Sequence, residues 1–386
     1  MKKKIFFLFV ALTLLAFPFF TACEAEENGV VNGDVNGDVN GDANGDVNGE
    51  VEYPIELTVA NYFSTPTSQS KVLAEFCDEL EERTGGLVQV DYFDSGTLLG
   101  PEAMFQGVID GVADIGYSHV YYTAGRMPVT ECIGLPLGYP SAWVSGHVAS
   151  DFYNEFKPAE WDDVVVLWMN TSTPSNVTTR DKPVRTLEDM EGLTLRAPGL
   201  AGEVIAALGA TPVGTPMPET NEAISKGEID GESSNFETLF AFKFAEVCDY
   251  TTSIWQITFP YPFYCVMNQD TYNSLPDDIK VIFDTLVGEY AERSQLVWNS
   301  VDYLGKAAGE ANGVEFIYLS DTEAARWIAA VEPVVDDYIA NMVDAGYSEA
   351  EVQSWIDFIQ ERIEYWTEKQ IAWHIVSAAG SPEVTE

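Results

Sequence analysis

Gly192-Leu193-Thr194-Leu195-Arg196-Ala197-Pro198-Gly199 is the stretch whose reading decides the fold. Leu193 to Arg196 reads as a short strand, and Pro198-Gly199 stops it abruptly. Just upstream, Thr186-Leu187-Glu188-Asp189 has the pattern of a capped helix start, and Gly192 ends that short helix. Downstream, the pattern predicts a helix from about Ala201 to Leu208, a strand at Thr211-Pro212-Val213 and a helix to Lys226-Gly227. A strand over Glu228-Ile229-Asp230-Gly231 closes the set. Strands alternating with helices imply parallel strands joined by crossover helices.

The first part of the chain carries a comparable unit. Ile55 to Val59 alternates like a strand, Val72, Leu73, Phe76 and Leu80 mark one helix face, and Gly85-Gly86 stops that helix. A strand over Leu87 to Phe93 follows, then a helix opened by Pro101 and running to about Asp110-Gly111, then a short strand at Ala113-Asp114-Ile115. Gly111-Val112-Ala113-Asp114-Ile115 parallels Gly227-Glu228-Ile229-Asp230-Gly231. Two α/β lobes in one chain place a cleft between them, and ligands of open α/β sheets bind beyond the carboxyl ends of the strands. The remainder reads as long helices: about Pro276 past Gly305, Thr322 to Ala345, and Ser348 to Gln370 with Ser348 and Glu351 as a capping box. A strand over Val314 to Tyr318 interrupts them. Trp298, Trp327, Trp355 and Trp366 on these helices are expected in core and inter-lobe packing.

The N-terminus is of another kind. Lys2, Lys3 and Lys4 precede an apolar run from Ile5 to Phe20 and then Thr21-Ala22-Cys23, the pattern of a secretory signal with Cys23 as the lipid acceptor of a bacterial lipoprotein. The run is short for a membrane span. The mature chain is thus expected at the periplasmic or extracytoplasmic face, tethered to the membrane by its N-terminal lipid. Glu24 to Tyr53 contains no basic residue and repeats Val-Asn-Gly-Asp, a spacer composition. Asp34-Val35-Asn36-Gly37-Asp38 resembles the opening of a calcium loop, but Val39 stands where that loop needs Gly. The organisation expected is a signal over 1–22, a lipidated Cys23 and acidic linker over 23–53, a first lobe over 54–173 plus 262–301, a second over 174–261 plus 302–370, and a tail over 371–386.

Charge removes whole classes of function. The chain carries 62 acidic and 19 basic side chains, a net of −43, and 46% hydrophobic residues rule out general disorder. Nucleic acid is excluded as a partner, because phosphate backbones require clustered Lys and Arg. His119, His147 and His374 are scattered, and Cys77, Cys132, Cys248 and Cys265 match no metal spacing, so neither a metal nor a cofactor is called for. An exported location permits disulfides, but spacing does not reveal pairing, and buried free thiols are the default. A secreted hydrolase needs a nucleophile with a base; no Gly-x-Ser-x-Gly or His-Glu-x-x-His occurs, so an enzyme is not expected.

Three ordered motifs carry a resemblance: Gly192 to Gly199, Leu208-Gly209-Ala210-Thr211-Pro212-Val213, and Lys226-Gly227-Glu228-Ile229-Asp230-Gly231. Arg83-Thr84-Gly85-Gly86, Gly96-Thr97-Leu98-Leu99-Gly100 and Val266-Met267-Asn268 ahead of Leu275-Pro276 agree with it. The chain resembles solute-binding proteins of tripartite ATP-independent periplasmic (TRAP) transporters, of the C4-dicarboxylate-binding type, over about Leu57 to Gln370. The resemblance implies a type II periplasmic-binding fold, closure of two lobes on a ligand, and delivery to TRAP membrane permease subunits. It also implies that Arg196 pairs with a ligand carboxylate, a role its planar fork of donors suits. Where acid-binding members carry a second Arg, Ser175 and Asn176 stand here; other family site positions fall on Met217, Ser234 and Asn235. A small organic acid, a monocarboxylate with an apolar or hydroxylated body, is therefore the expected ligand. Tyr62, Phe63, Tyr117 and Ser118 are candidate lining residues because they follow strand ends, and Glu102 is a candidate partner for a ligand hydroxyl. A binding protein that docks on a membrane receptor as a sensor is the alternative.

Overall fold

The computed structural model describes residues 54–385. Cys23, the leader and the repeats up to Tyr53 lie outside the described residues. In chain order the strands are β1 (Ile55–Asn61), β2 (Val88–Phe93), β3 (Ile115–His119), β4 (Val164–Thr171), β5 (Asn176–Thr179), β6 (Thr194–Arg196), β7 (Thr211–Val213), β8 (Gly231–Ser234), β9 (Tyr250–Ser253), β10 (Pro262–Asn268) and β11 (Glu315–Tyr318). They form two sheets, one ordered β2-β1-β3-β10-β4 and the other β11-β9-β5-β8-β6-β7. The helices are α1 (Ser68–Arg83), α2 (Met104–Ile109), α3 (Ala142–Phe156), α4 (Leu200–Ala207), α5 (Met217–Lys226), α6 (Thr238–Ala241), α7 (Gln269–Ser274), α8 (Asp277–Ser300), α9 (Asp302–Asn312), α10 (Asp321–Asp344), α11 (Glu349–Ala372) and α12 (Pro382–Thr385).

Each sheet is built on the same unit. β1 pairs in parallel with β2 and β3, and β6 pairs in parallel with β7 and β8. An aspartate ahead of the third strand locks each unit. The Thr58 amide donates to Asp114 Oδ2 at 2.8 Å, and the Thr194 amide donates to Asp230 Oδ2 at 2.7 Å. The register is then shared, with Val59 opposite Ile115 and Leu195 opposite Gly231. An antiparallel strand flanks each third strand, β10 beside β3 and β5 beside β8.

Local chemistry accounts for the helix bounds. Thr67 caps α1 through its side chain, Val72, Leu73, Phe76 and Leu80 are buried, and Gly85 and Gly86 turn the chain at positive φ. The start at Thr186 is a capping box closed by Asp189, although the element it opens is a single 3₁₀ turn, Leu187–Met190. The helix expected past Gly305 is two, α8 and α9, broken at Val301. The second lobe does not extend to residue 370 as expected: α11 packs along α3, where Trp366 stacks on His147 at 4.1 Å and Phe358 meets Phe156 at 5.2 Å. α3 lies in turn under β4, so α11 covers the first sheet. The tail folds back, with the Ala378 amide donating to the Asn299 carbonyl at 3.2 Å and the Ser381 amide to that of Pro140 at 3.1 Å.

The four cysteines beyond residue 53 are buried and free. Among the described residues no helix is long and apolar enough to cross a membrane, and no group of His, Cys, Asp or Glu could hold a metal ion.

Candidate functional site

The carboxyl ends of β1, β3, β6 and β8 converge on one small, nearly filled cavity of about 20 Å³ between the two sheets. Its first wall is aromatic. Tyr62 and Phe63 follow β1, His119 ends β3, Tyr122 comes next, and Phe263 of β10 and Trp298 of α8 close the back. Phe263 lies 4.6 Å from Trp298 and 5.8 Å from Phe63, centroid to centroid, so the three rings pack against one another and form the apolar side of the slot. The opposite wall is polar: Arg196 at the end of β6, Ser234 at the end of β8, then Asn235, Glu237 and Thr238 beyond it, with Met217 at the start of α5. Ser172, Tyr261 and Phe242 fill the sides.

Arg196 is 1% exposed. Its Nε donates to the Thr215 carbonyl at 2.9 Å, one Nη donates to the Tyr122 hydroxyl at 3.2 Å, and its guanidinium lies 5.7 Å from the Tyr261 ring. Every other arginine among the described residues reaches a carboxylate; Arg196 does not. A buried cation without a counter-ion is costly, by several kcal/mol, unless a ligand supplies the charge. The buried carboxyls of the second wall do not supply it readily. Burial pushes Glu232 up to about 8 despite the opposing pull of Arg196, and burial followed by the neighbouring Asp302 pushes Glu237 up to about 8. Asp302 is raised to about 6 by burial while accepting from the Glu237 amide at 2.7 Å and from Asn235 Nδ2 at 3.1 Å.

Several bonds tie one wall to the other. The Tyr122 hydroxyl also accepts from the Met217 amide at 3.1 Å, and Gln69 Nε2 donates to Glu237 Oε1 at 3.2 Å. Gly199 has φ +58, and a Cβ there would stand 2.5 Å from Cγ of Tyr121. The lobes meet closely because that residue has no side chain.

Of the residues singled out in the sequence, the structure brings Arg196, Tyr62, Phe63, Met217, Ser234 and Asn235 to the cavity wall. The others lie elsewhere. The strand expected at Ala113-Asp114-Ile115 runs instead over Ile115–His119, so Tyr117 and Ser118 are strand residues rather than loop residues. Tyr117 donates to Asn170 at 3.3 Å and accepts from Trp298 Nε1 at 2.9 Å, behind the wall, and Ser118 donates to the Pro101 carbonyl at 3.0 Å. Ser175 is spent on the Phe259 carbonyl at 3.1 Å, and Asn176 opens β5 opposite Ser234 and Ser253. Glu102 is exposed in the turn before α2; the acid that faces the cavity is Glu237. Trp298, expected in packing alone, lines the slot. β3 ends four residues later than the sequence pattern predicts, which places His119, followed by Tyr122, at the strand end in place of Tyr117 and Ser118.

Two α/β units closing over a buried cation and an aromatic slot define a two-lobed periplasmic-type solute-binding protein. The chain belongs to the family described as bacterial extracellular solute-binding protein, family 7, whose model matches residues 59–341. A TRAP periplasmic solute-binding protein from Desulfovibrio salexigens superposes with a TM-score of 0.68 at 35% identity, covering 81% of this chain and 96% of that one. A TRAP solute-binding protein from a marine metagenome, specific for aromatic acid ligands and solved with metahydroxyphenylacetate, superposes with a TM-score of 0.76 at 25% identity, over 81% of this chain and 99% of that one. The 2,3-diketo-L-gulonate-binding periplasmic protein YiaO of Escherichia coli is 27% identical over 191 residues; that match spans 48% of this chain and 57% of the relative.

Proposed function

We propose that the protein captures a small aromatic or otherwise apolar monocarboxylate outside the cytoplasmic membrane, through an Arg196–carboxylate pair, and delivers it to TRAP permease subunits. The observation that carries the reading is the buried Arg196 guanidinium without a carboxylate partner, facing a slot walled by Phe63, Phe263 and Trp298. One cationic anchor and an aromatic slot suit one carboxylate on a ring better than two carboxylates or a sugar acid, whose hydroxyls would be desolvated against apolar walls. The aromatic-acid specificity of the marine relative supports the same class of ligand. Membrane tethering through a lipid on Cys23 and the absence of a cofactor belong to this reading.

A thermal-shift and calorimetric screen tests it. Benzoate, 3-hydroxybenzoate and mandelate should raise the unfolding midpoint, since a ligand that binds only the native state stabilises it. Binding of succinate, glucuronate or sialic acid with none of the aromatic acids bound would overturn the ligand class. Mass spectrometry of membrane-extracted protein should find a diacylglyceryl Cys23 as the first residue, and an intact leader would refute the anchor.

A further inference from the structure

We propose that His119 is a second ligand-binding donor, gripping the acceptor end of the solute from the first lobe while Arg196 grips it from the second. The inference rests on the organic-acid reading of the cavity. His119 is 2% exposed, forms part of the cavity wall, and is packed among Tyr121, Tyr122, Tyr261 and Phe263 with ring centroids 4.8 to 5.2 Å away. Its Nδ1 accepts from the Tyr121 amide at 2.9 Å. A neutral imidazole that accepts at Nδ1 carries its proton on Nε2, and that Nε2 has no hydrogen-bond partner among the described residues. Burial first, and then the Arg196 cation, keep the ring neutral.

A buried donor left unpaired is destabilising, and such groups in native proteins mark a missing partner. A ligand carboxylate supplies it. Arg196 and His119 share Tyr122 and Tyr261 as neighbours, so both face the same end of the chamber. An anion there is held by a charged fork from one sheet and a neutral N–H from the other. Only the closed protein offers both, so the pair couples binding to closure.

The test uses the full mature protein with benzoate and 3-hydroxybenzoate as probes. His119→Phe keeps the aromatic packing and removes the Nε2 donor along with the Nδ1 acceptor; it should weaken binding by about tenfold or more, the range for a hydrogen bond to a charged group. His119→Gln, which retains a donor, should recover part of that loss. Without ligand, His119→Phe should unfold slightly earlier than the wild type, because it also removes the Nδ1 acceptor of the Tyr121 amide, so the affinities are compared at a temperature at which both proteins are folded. In the wild type, the Nε2 proton resonance of His119 should move downfield on saturation with benzoate. If the wild type binds and Arg196→Ala does not, while His119→Phe binds within twofold of the wild type, the His119 assignment falls and the Arg196 reading stands. An unmoved Nε2 proton on saturation has the same consequence. If the wild type binds no acid, both readings fall.

Discussion

The β1-α1-β2-α2-β3 unit and the β6-α4-β7-α5-β8 unit share pairing, register and aspartate lock, yet their strand ends carry opposite chemistry. Two residues after the locked threonine stands Ala60 in the first and Arg196 in the second. Five residues after the lock aspartate stands His119 in the first and Asn235 in the second. The contrast teaches that the scaffold fixes where a ligand can sit, while a few substitutions at equivalent strand ends divide the work: one wall supplies apolar surface and a neutral donor, the other charge.

The sharpest way to break this division is to remove the charge. Arg196→Ala should lose about 2 to 5 kcal/mol of affinity for a monocarboxylate by calorimetry, as expected for one side of a buried charged pair. Unchanged affinity would remove the asymmetry between the walls. Next in size is the approach of the lobes at Gly199. Gly199→Val forces a β-branched side chain into positive φ and against Tyr121. It should hold the lobes apart, so that scattering with saturating ligand gives a larger radius than the wild type and affinity falls about tenfold or more.

The aspartate locks allow a quantitative comparison. Asp114 is half-buried and also accepts from Thr271 Oγ1 at 2.7 Å, whereas Asp230 is exposed. Asp114→Ala should therefore cost about 1.5 to 3 kcal/mol of stability in denaturant unfolding and Asp230→Ala about 0.5 to 1. The reverse order would show that exposure does not grade the two locks. The second wall also carries a pH dependence. Glu232 and Glu237 sit near 8 and Asp302 near 6, all raised by burial. The folded protein keeps these protons over a range in which the unfolded chain has released them, so stability falls as pH rises from about 4.5 to about 8. Glu188 has the opposite sign. Lowered to about 2 mainly by its Arg326 partner, it contributes stability that is lost below the ordinary carboxylate range. Midpoints measured at about pH 5 and pH 8 should show the first decline, and Glu237→Gln should flatten it. An equal slope in the variant would show that the second wall does not drive it.

Much of this was legible in the residues. The strand at Leu193 to Arg196, the matched Gly111-to-Ile115 and Gly227-to-Gly231 endings, and the helix stops at Gly85-Gly86 rest on local rules of capping, alternation and turn formation, and these act within a few residues. Arg196 was legible because it stands at a strand end beside Pro198-Gly199. His119 was not, since the extent of β3 is set by β1 and β10 pairing on either side of it, far along the chain. Glu102 was misplaced for a related reason: its position in sequence resembles a helix start that faces the cleft, while the chain turns it to solvent.

The sequence by itself determined two α/β units, the placement of a lone arginine at the end of the strand that opens the second, and a large excess of acid. The folded lobes alone carry 53 acids against 16 bases. Only the tertiary structure decided that Arg196 lacks an acidic partner amid so much negative charge, and that a histidine with an unpaired Nε2 and an aromatic slot from distant segments meet it. Burial explains the difference: it raises the carboxyls of Glu232 and Glu237 toward neutrality while Arg196 stays charged, and burial is a property of packing between segments far apart in the chain.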